Sequence, residues 1–368
     1  MSPEQIKNIN LAFIVSTGRT GSTLLATMCN MHPNMLATSE ETFAFSLYEK
    51  YKHVKVWNKE IIDSYCYDFY LFSEGKLEPQ FGTILDLEEI LLKHQGQLTI
   101  SLVIRLTYLC FCPEKDKSAV TTIVDKELVL HPVLDKMAEN YPGSKFIILL
   151  RDPRDNVLVK QNLARRVAHL QADHFTYALV WNYVYSKIDK MRAKIGAHRF
   201  LELKYEDLMA DPQKELQRMC QFLETPYDPR MLGYSEAMKE MLESEDISVA
   251  LKENLKVMHS GLTQKISTEK VGKWKKELNK EQQDQVWRIC GDTALRYGYA
   301  AEGCSDKESM PLGFYPVLLR VLFKRYLAKF YYHAPPFVRT LVKRIKYGKR
   351  FRTGYWATED YYKKNAPR

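Results

Sequence analysis

Four short runs of β-branched and large apolar residues stand out in a chain whose other apolar positions mostly recur every three or four residues. The runs at 11–15 (LAFIV), 121–124 (TTIV), 145–150 (KFIILL) and 199–203 (RFLEL) read as buried strands. Helical spacing marks 22–31, 87–94, 132–141, 173–193 and 213–223, the last opened by Asp211-Pro212 as an N-cap and first-turn proline. Strands alternating with helices predict an α/β fold, a central parallel sheet with helices on both faces. In such sheets ligands bind beyond the carboxyl ends of the strands. No repeat and no linker rich in Pro, Gly or Ser divides the first 300 residues. One α/β domain over 1–305 is therefore expected, followed by a basic, aromatic-rich helical extension over 306–368.

Composition sharpens this picture in three places. The 368 residues are 45% apolar and 12% aromatic, ample for a core. The run 11–15 is too short for an export signal or a span and lacks a basic flank, so a cytoplasmic location is expected. Seven cysteines, an odd number at irregular spacing, read as buried thiols rather than a disulfide framework. Cys110 and Cys112 have no second pair at ligand spacing, and no metal is expected. The net charge of +9 belongs to the tail: residues 311–368 hold fourteen Lys and Arg against Glu359 and Asp360, leaving 40 basic against 43 acidic residues before them.

Within that tail, Y315-P-V-L-L-R-V-L-F-K-R-Y-L-A-K-F-Y-Y332 places cations among apolar and aromatic residues at helical spacing. Arg320, Lys324 and Arg325 interrupt any membrane span. Three readings stand side by side: a peripheral helix on an anionic membrane surface, where each nearby cation contributes about 1 kcal/mol; a helix docked on the domain with a solvated basic face; and a homodimer contact. No nucleic-acid module is recognisable, so no specific nucleic acid is expected as a partner.

The first strand runs into S16-T-G-R-T-G-S-T-L-L25. A glycine-bearing turn between a strand and a helix offers backbone N–H groups and the positive end of the helix dipole to an anion. A triphosphate loop would read G-x-x-x-x-G-K-[ST]; this one has no lysine and is not G-x-G-x-x-G either. A second feature is F146-I-I-L-L-R-D-P-R-D155, where Arg151 and Arg154 follow a strand at the same sheet edge, as anion ligands or as an ion-pair cluster capping the helix. A third is L201-E-L-K-Y-E-D-L-M-A-D-P212, with Tyr205 at a strand end, where it could stack on a base or pack as core.

Taken in order with His32-Pro33, Glu40-Glu41, Asp125-Lys126 and V271-G-K-W274, these motifs resemble the sulfotransferase family that uses 3′-phosphoadenosine-5′-phosphosulfate, over roughly residues 10 to 300, with the P-loop-like fold of that family. The similarity is to its bacterial and tyrosylprotein-type branch, because Arg19 stands where cytosolic phenol and steroid sulfotransferases carry lysine and the catalytic histidine of those enzymes has no counterpart.

The resemblance implies roles residue by residue. Gly18, Arg19, Thr20, Gly21, Ser22 and Thr23 would hold the 5′-phosphosulfate, and Lys126 would supply a second cation. Glu40 or Glu41 would be the base that takes the acceptor proton, with His131 as a competitor. Arg151 would bind the 3′-phosphate and Tyr205 would lie beside the adenine. The serine that most relatives carry eight residues after that arginine is Val159 here, so Lys160, Arg165, Arg166 or the loop 265–274 must take its load. In that loop Ser267, Lys270 and Lys273 are the implied phosphate contacts.

The implied partner is a small-molecule acceptor with a hydroxyl. The aromatic segments 63–82 and 101–111 suit a lipid, sterol or phenolic alcohol, or else ordinary core packing. Two alternatives are a nucleotide or small-molecule kinase with a degenerate loop and a non-catalytic membrane- or nucleic-acid-binding protein.

Overall fold

The computed structural model describes residues 1–39, 43–72, 84–112, 114–126, 131–167, 173–243, 261–305 and 309–347. Five parallel strands form one sheet: β1 (Asn10–Val15), β2 (Met35–Ser39), β3 (Thr122–Lys126), β4 (Lys145–Leu150) and β5 (Phe200–Lys204), in the spatial order β2-β3-β1-β4-β5. Leu11 pairs with Ile123 and Ile14 with Lys126 on one side of β1, while Val15 pairs with Ile148 on the other. The order reverses at β1. A crevice thus opens beyond its carboxyl end, between connections that leave in opposite directions.

The described helices are α1 (Pro3–Lys7), α2 (Ser22–Met31), α3 (Phe43–Tyr51), α4 (Lys59–Phe72), α5 (Ile84–Lys93), α6 (Ile100–Leu109), α7 (Leu134–Asn140), α8 (Pro153–Ala164), α9 (His174–Ile195), α10 (Tyr205–Ala210), α11 (Pro212–Phe222), α12 (Tyr234–Glu243), α13 (Trp274–Glu277), α14 (Lys280–Arg296), α15 (Phe314–His333) and α16 (Pro336–Tyr347). The alternating side chains of the strands sort them into two cores. Phe13 and Val15 of β1 with Phe146 and Ile148 of β4 face helices α3 to α7, α9 and α14. Ala12, Ile14, Ile147 and Leu149 face α2, α10 and α11. Both faces of the sheet are covered, which is why its strands read as unbroken apolar runs.

One element is new: Met35–Ser39 is a fifth strand that the pattern does not announce. Of the two readings of the aromatic segments, core packing is the one seen at Tyr65, Phe69, Tyr108 and Phe111, which are fully buried, and Phe43 packs on Phe69 and Tyr108 at ring separations of 5.1 and 4.7 Å. The rest of that segment, 73–82, lies outside the described residues.

The extension is helical over its described part. α15 packs along α9 and α16 against α3 and α4. Phe314 meets Phe175 edge-on at 5.4 Å, and the Arg339 guanidinium, 1% exposed, lies 4.7 Å from the Phe45 ring. No helix among the described residues is long and apolar enough to cross a membrane.

Candidate active site

The turn after β1 is built from positive φ angles: 75° at Gly18, 58° at Arg19 and 90° at Gly21. This is the kind of turn that gathers backbone N–H groups into an anion-binding concavity. Glycine adopts such angles freely. Arg19 does not, and strain of this kind concentrates at ligand sites. The turn is braced from three directions. Gly18 N donates to Ser16 Oγ at 3.2 Å, Asn156 Nδ2 of α8 donates to Gly18 O at 2.9 Å, and Lys126 Nζ at the end of β3 donates to Thr23 Oγ1 at 3.1 Å. The turn feeds α2, whose N-cap Gly21 makes no side-chain cap bond and whose first turn has no acidic residue. The positive end of the helix dipole is left for a ligand.

Arg151, just past β4, forms the facing wall. Its carbonyl accepts from Trp181 Nε1 at 3.0 Å, and its guanidinium donates to Arg19 O at 3.4 Å and to Lys270 O at 2.7 Å. The same guanidinium lies 4.3 Å from the centroid of the Tyr205 ring. Tyr205 therefore supports Arg151 as well as lining the site. Arg154 has a different task from the anion ligand considered for it. It is fully buried, pairs with Asp152 at 2.7 Å, donates to Ala300 O and Ala301 O, and lies 3.7 Å from the Trp274 ring centroid. Of the two sequence readings, the ion-pair cluster at the start of α8 is the one observed.

The loop before α13 is tied to α8 by Asp155, whose carboxylate accepts from Gly272 N at 2.7 Å and Trp274 N at 3.0 Å. Burial raises the Asp155 pKa above the ordinary carboxylate range, and nearby Arg151 with the two N–H donors pulls it partly back. Burial likewise raises Glu206, whose carboxylate accepts from Asp152 N and Tyr299 OH. Lys270 is lowered by burial and by the charges of Arg151 and Lys273.

A cavity of about 350 Å³ lies between these walls. Arg19, Gly21, Ser22 and Thr23 line one side, Arg151 and Tyr205 another, and Ser267, Lys270 and Lys273 a third. Val159, Asn162 and Leu163 close it from α8, with Arg166 in the turn that follows the helix. Gly18 shapes the turn; Thr20 Oγ1 and Arg151 Nε are buried polar atoms without a hydrogen-bond partner here.

Lys160 departs from its expected place at the 3′-phosphate. It is absent from this cavity, and its ammonium lies 5.9 Å from the Tyr177 ring centroid on α9. The reason is helical: 159, 162 and 163 share one stripe of α8, continued by 166 in the turn after it, and position 160 is turned off it. Of the proposed substitutes Arg166 lines the cavity, whereas Arg165 bonds Asn162. His131 lies 3.5 Å from Arg325 Nη1 of α15. Glu40 and Glu41 lie outside the described residues. Asn156, which holds the loop through Gly18, lies outside the motifs read from the sequence; its position in the first turns of α8, shortly after Arg151, is the local signal for it.

Comparison with known proteins meets this geometry. The sulfotransferase family pattern matches residues 12–229, more than half of the chain. Omega-hydroxy-beta-dihydromenaquinone-9 sulfotransferase Stf3 of Mycobacterium tuberculosis is 35% identical over 95 residues, 24% of each chain. Protein-tyrosine sulfotransferase 1 of Danio rerio is 25% identical over 235 residues, 62% of this chain and 57% of that one. The chain thus matches about a quarter of the first relative's length and somewhat over half of the second's. Among solved structures, the sulfotransferase domain of the Synechococcus PCC 7002 olefin synthase superposes with a TM-score of 0.49 at 19% identity, covering 80% of this chain and 96% of that one. With its family pattern spanning the sheet, the loop after β1 and Arg151, the chain belongs to the sulfotransferase family.

Proposed function

We propose that this protein transfers a sulfonate from 3′-phosphoadenosine-5′-phosphosulfate to the hydroxyl of a small, largely hydrophobic acceptor. One observation carries the donor reading: a single cavity gathers Arg19, Arg151, Arg166, Lys270 and Lys273 around a helix N-terminus, with Glu277 the only carboxylate among its described lining residues. Such an excess of cations suits a ligand with several anionic groups at its two ends. Arg151 Nε, a buried donor without a partner on a residue that lines the cavity, supplies further bonding capacity.

The donor brings an activated phosphate–sulfate anhydride, and transfer spreads negative charge over the sulfonate and the departing phosphate. Arg19, Lys126 and the first amides of α2 are preorganised to stabilise charge at that end. Arg151, Arg166 and Lys270 would hold the 3′-phosphate in the space that Val159 leaves without a hydroxyl. Glu40 or Glu41 would receive the acceptor proton.

Two observations support a hydrophobic acceptor met at a membrane. The name of the mycobacterial relative specifies a menaquinone-derived lipid. In α15, Leu319, Leu322, Phe323, Tyr326 and Phe330 are exposed among Arg320, Lys324 and Lys329. A helix of this kind lies in an anionic interface, and the reading places the protein in the cytoplasm at the inner membrane surface.

Thermal-shift titration with 3′-phosphoadenosine-5′-phosphate, ATP and a short oligonucleotide tests the donor. Stabilisation by the bisphosphate alone is expected, and its absence far above micromolar ligand would remove the reading. Turnover of labelled donor should fall at least a hundredfold in Arg19→Ala and in Lys126→Ala. Flotation with anionic and neutral vesicles tests the surface: Leu319→Glu/Phe323→Glu/Phe330→Glu should stay with the soluble fraction, and unchanged flotation would dispose of the membrane contact.

A further inference from the structure

A second cavity, of about 600 Å³, lies where α16 packs against α3 and α4, and it shares no described lining residue with the donor cavity. From α4 it takes Asp63, Ser64, Tyr67 and Asp68, whose i, i+1, i+4, i+5 spacing puts them on one helix face. The end of α3 supplies Lys50 and Tyr51, and α16 adds Arg344.

Asp68 is only half satisfied by the fold. It is 1% exposed, and its Oδ2 accepts from Tyr51 OH at 2.6 Å and from Lys50 Nζ. Its other oxygen, Oδ1, is buried without a hydrogen-bond partner. Such an acceptor costs free energy, and folded chains rarely leave one without a reason. Tyr51 is held on Oδ2 by ring packing, with centroids 5.7 Å from Trp57 and 5.4 Å from Tyr65. A plain ion pair tying α3 to α4 would account for Oδ2, but not for a cavity walled by the same carboxylate with Oδ1 to spare.

Arg344 gives the cavity its second feature. Its exposed guanidinium lies 5.5 Å from the Tyr67 ring centroid. Residues 337, 341, 344 and 345 follow the i, i+4, i+7, i+8 stripe of α16, and Phe337, Leu341 and Ile345 in it are exposed. The lining charges, Lys50 and Arg344 against Asp63 and Asp68, cancel. A ligand with charges of both signs and no net charge therefore suits the cavity better than a simple ion.

We propose that this cavity binds a zwitterion of the phosphoethanolamine kind, its primary ammonium donating to Asp68 Oδ1 and its phosphate held by Arg344. The same chemistry occurs in a soluble phosphorylated amine and in a lipid headgroup. The apolar stripe that Arg344 shares on α16 favours the lipid. The site stands apart from the donor cavity and does not depend on what that cavity binds.

Calorimetry on the full chain compares O-phosphoethanolamine with O-phosphocholine, which carries the same phosphate on an ammonium that has no N–H to donate. The first should bind about tenfold tighter. Asp68→Asn should reduce that preference to about twofold or less, and Arg344→Gln, a change at an exposed side chain, should weaken both probes about tenfold and keep the preference. Both variants should bind 3′-phosphoadenosine-5′-phosphate as the parent does. If near-UV circular dichroism shows Asp68→Asn unfolded, the parent's preference and Arg344→Gln decide. Binding of neither probe, equal affinity for the two, a preference that persists in folded Asp68→Asn, or unchanged affinity in Arg344→Gln would overturn the proposal. Flotation separates the sources: phosphatidylcholine vesicles containing phosphatidylethanolamine should carry more of the chain than phosphatidylcholine alone, an advantage that Arg344→Gln removes. Binding of free O-phosphoethanolamine without that advantage would assign the cavity to the soluble amine.

Discussion

Gly21 and Tyr205 are in contact so close that a Cβ at Gly21 would stand 2.7 Å from Tyr205 Cδ2. The φ of 90° at Gly21 adds a second demand for glycine. The loop that starts α2 and the tyrosine that starts α10 are therefore fitted to each other, and through the ring to Arg151. Gly21→Ala should cost about 1–2 kcal/mol for the left-handed backbone and more for the clash. Urea unfolding checks the division: adding Tyr205→Leu should recover the clash and leave the backbone cost. Recovery of full stability by the double variant would contradict this account.

Asp155 ties the loop carrying Lys270 and Lys273 to α8 through two backbone N–H groups. Hydrogen bonds to a charged group contribute about 1.5–3 kcal/mol each. In Asp155→Ala the loop loses both, and those lysines lose their fixed position over the cavity. Bisphosphate affinity should fall about tenfold or more, with earlier proteolytic cleavage within 265–274 than in the parent. Unchanged affinity would mean that the lysines do not contact the ligand.

How much of this was legible in the sequence depended on range. The runs 11–15 and 145–150 are apolar on both faces because the sheet is covered on both faces, and they were visible at once. Met35–Ser39 was not, since an edge strand of five residues with Thr38 and Ser39 in it presents no such run. The stretch Asp152-Pro153 announced a helix start, and Asp152 does accept from Arg154 N at 2.8 Å. The bond from Trp274 N to Asp155 joins residues 119 apart, and local pattern cannot foresee it. The charge of Lys160 suits a phosphate, but residues 159, 162, 163 and 166 that line the cavity follow an i, i+3, i+4, i+7 stripe, and helical phase turns position 160 away from it.

Arg154 should behave as a structural residue. It is enclosed by Asp152, two carbonyls and Trp274, and removing one partner of a buried pair leaves the other charge uncompensated. Arg154→Met should destabilise by about 3–5 kcal/mol. Arg154→Lys should recover little of that, because an ammonium cannot match the planar fork. Bisphosphate affinity measured at a temperature where the variants remain folded should be nearly unchanged, and a large selective loss would return Arg154 to the ligand site.

The depressed pKa of Lys160 has a signature in stability. An unfolded chain keeps this proton up to its ordinary value of 10.5, whereas the folded state releases it near about 7. Between those values unfolding takes up a proton, so stability rises with pH across that window and the penalty is full below about 7. Without ligand, Lys160→Met should therefore raise Tm relative to the parent at pH 6.5, with the gain shrinking steadily toward pH 10. A gain independent of pH would show packing rather than charge at work.

Val159 offers the most direct gain of function. It lines the cavity beside Asn162 and Arg166, at the position where the family resemblance leads one to expect a serine. Its isopropyl group presents nothing to a phosphate oxygen, and Arg166, whose backbone N already donates to Leu163 O one turn beyond, must reach in from the end of α8. Val159→Ser places a hydroxyl on the stripe that faces the ligand and removes two methyl groups from a partly exposed wall, so the loss of burial is small. One added hydrogen bond contributes about 1 kcal/mol. Calorimetry should show 3′-phosphoadenosine-5′-phosphate binding about fivefold tighter, while adenosine-5′-phosphate, which lacks the 3′ group, gains nothing. Equal gains for both would place the 3′-phosphate somewhere other than beside α8.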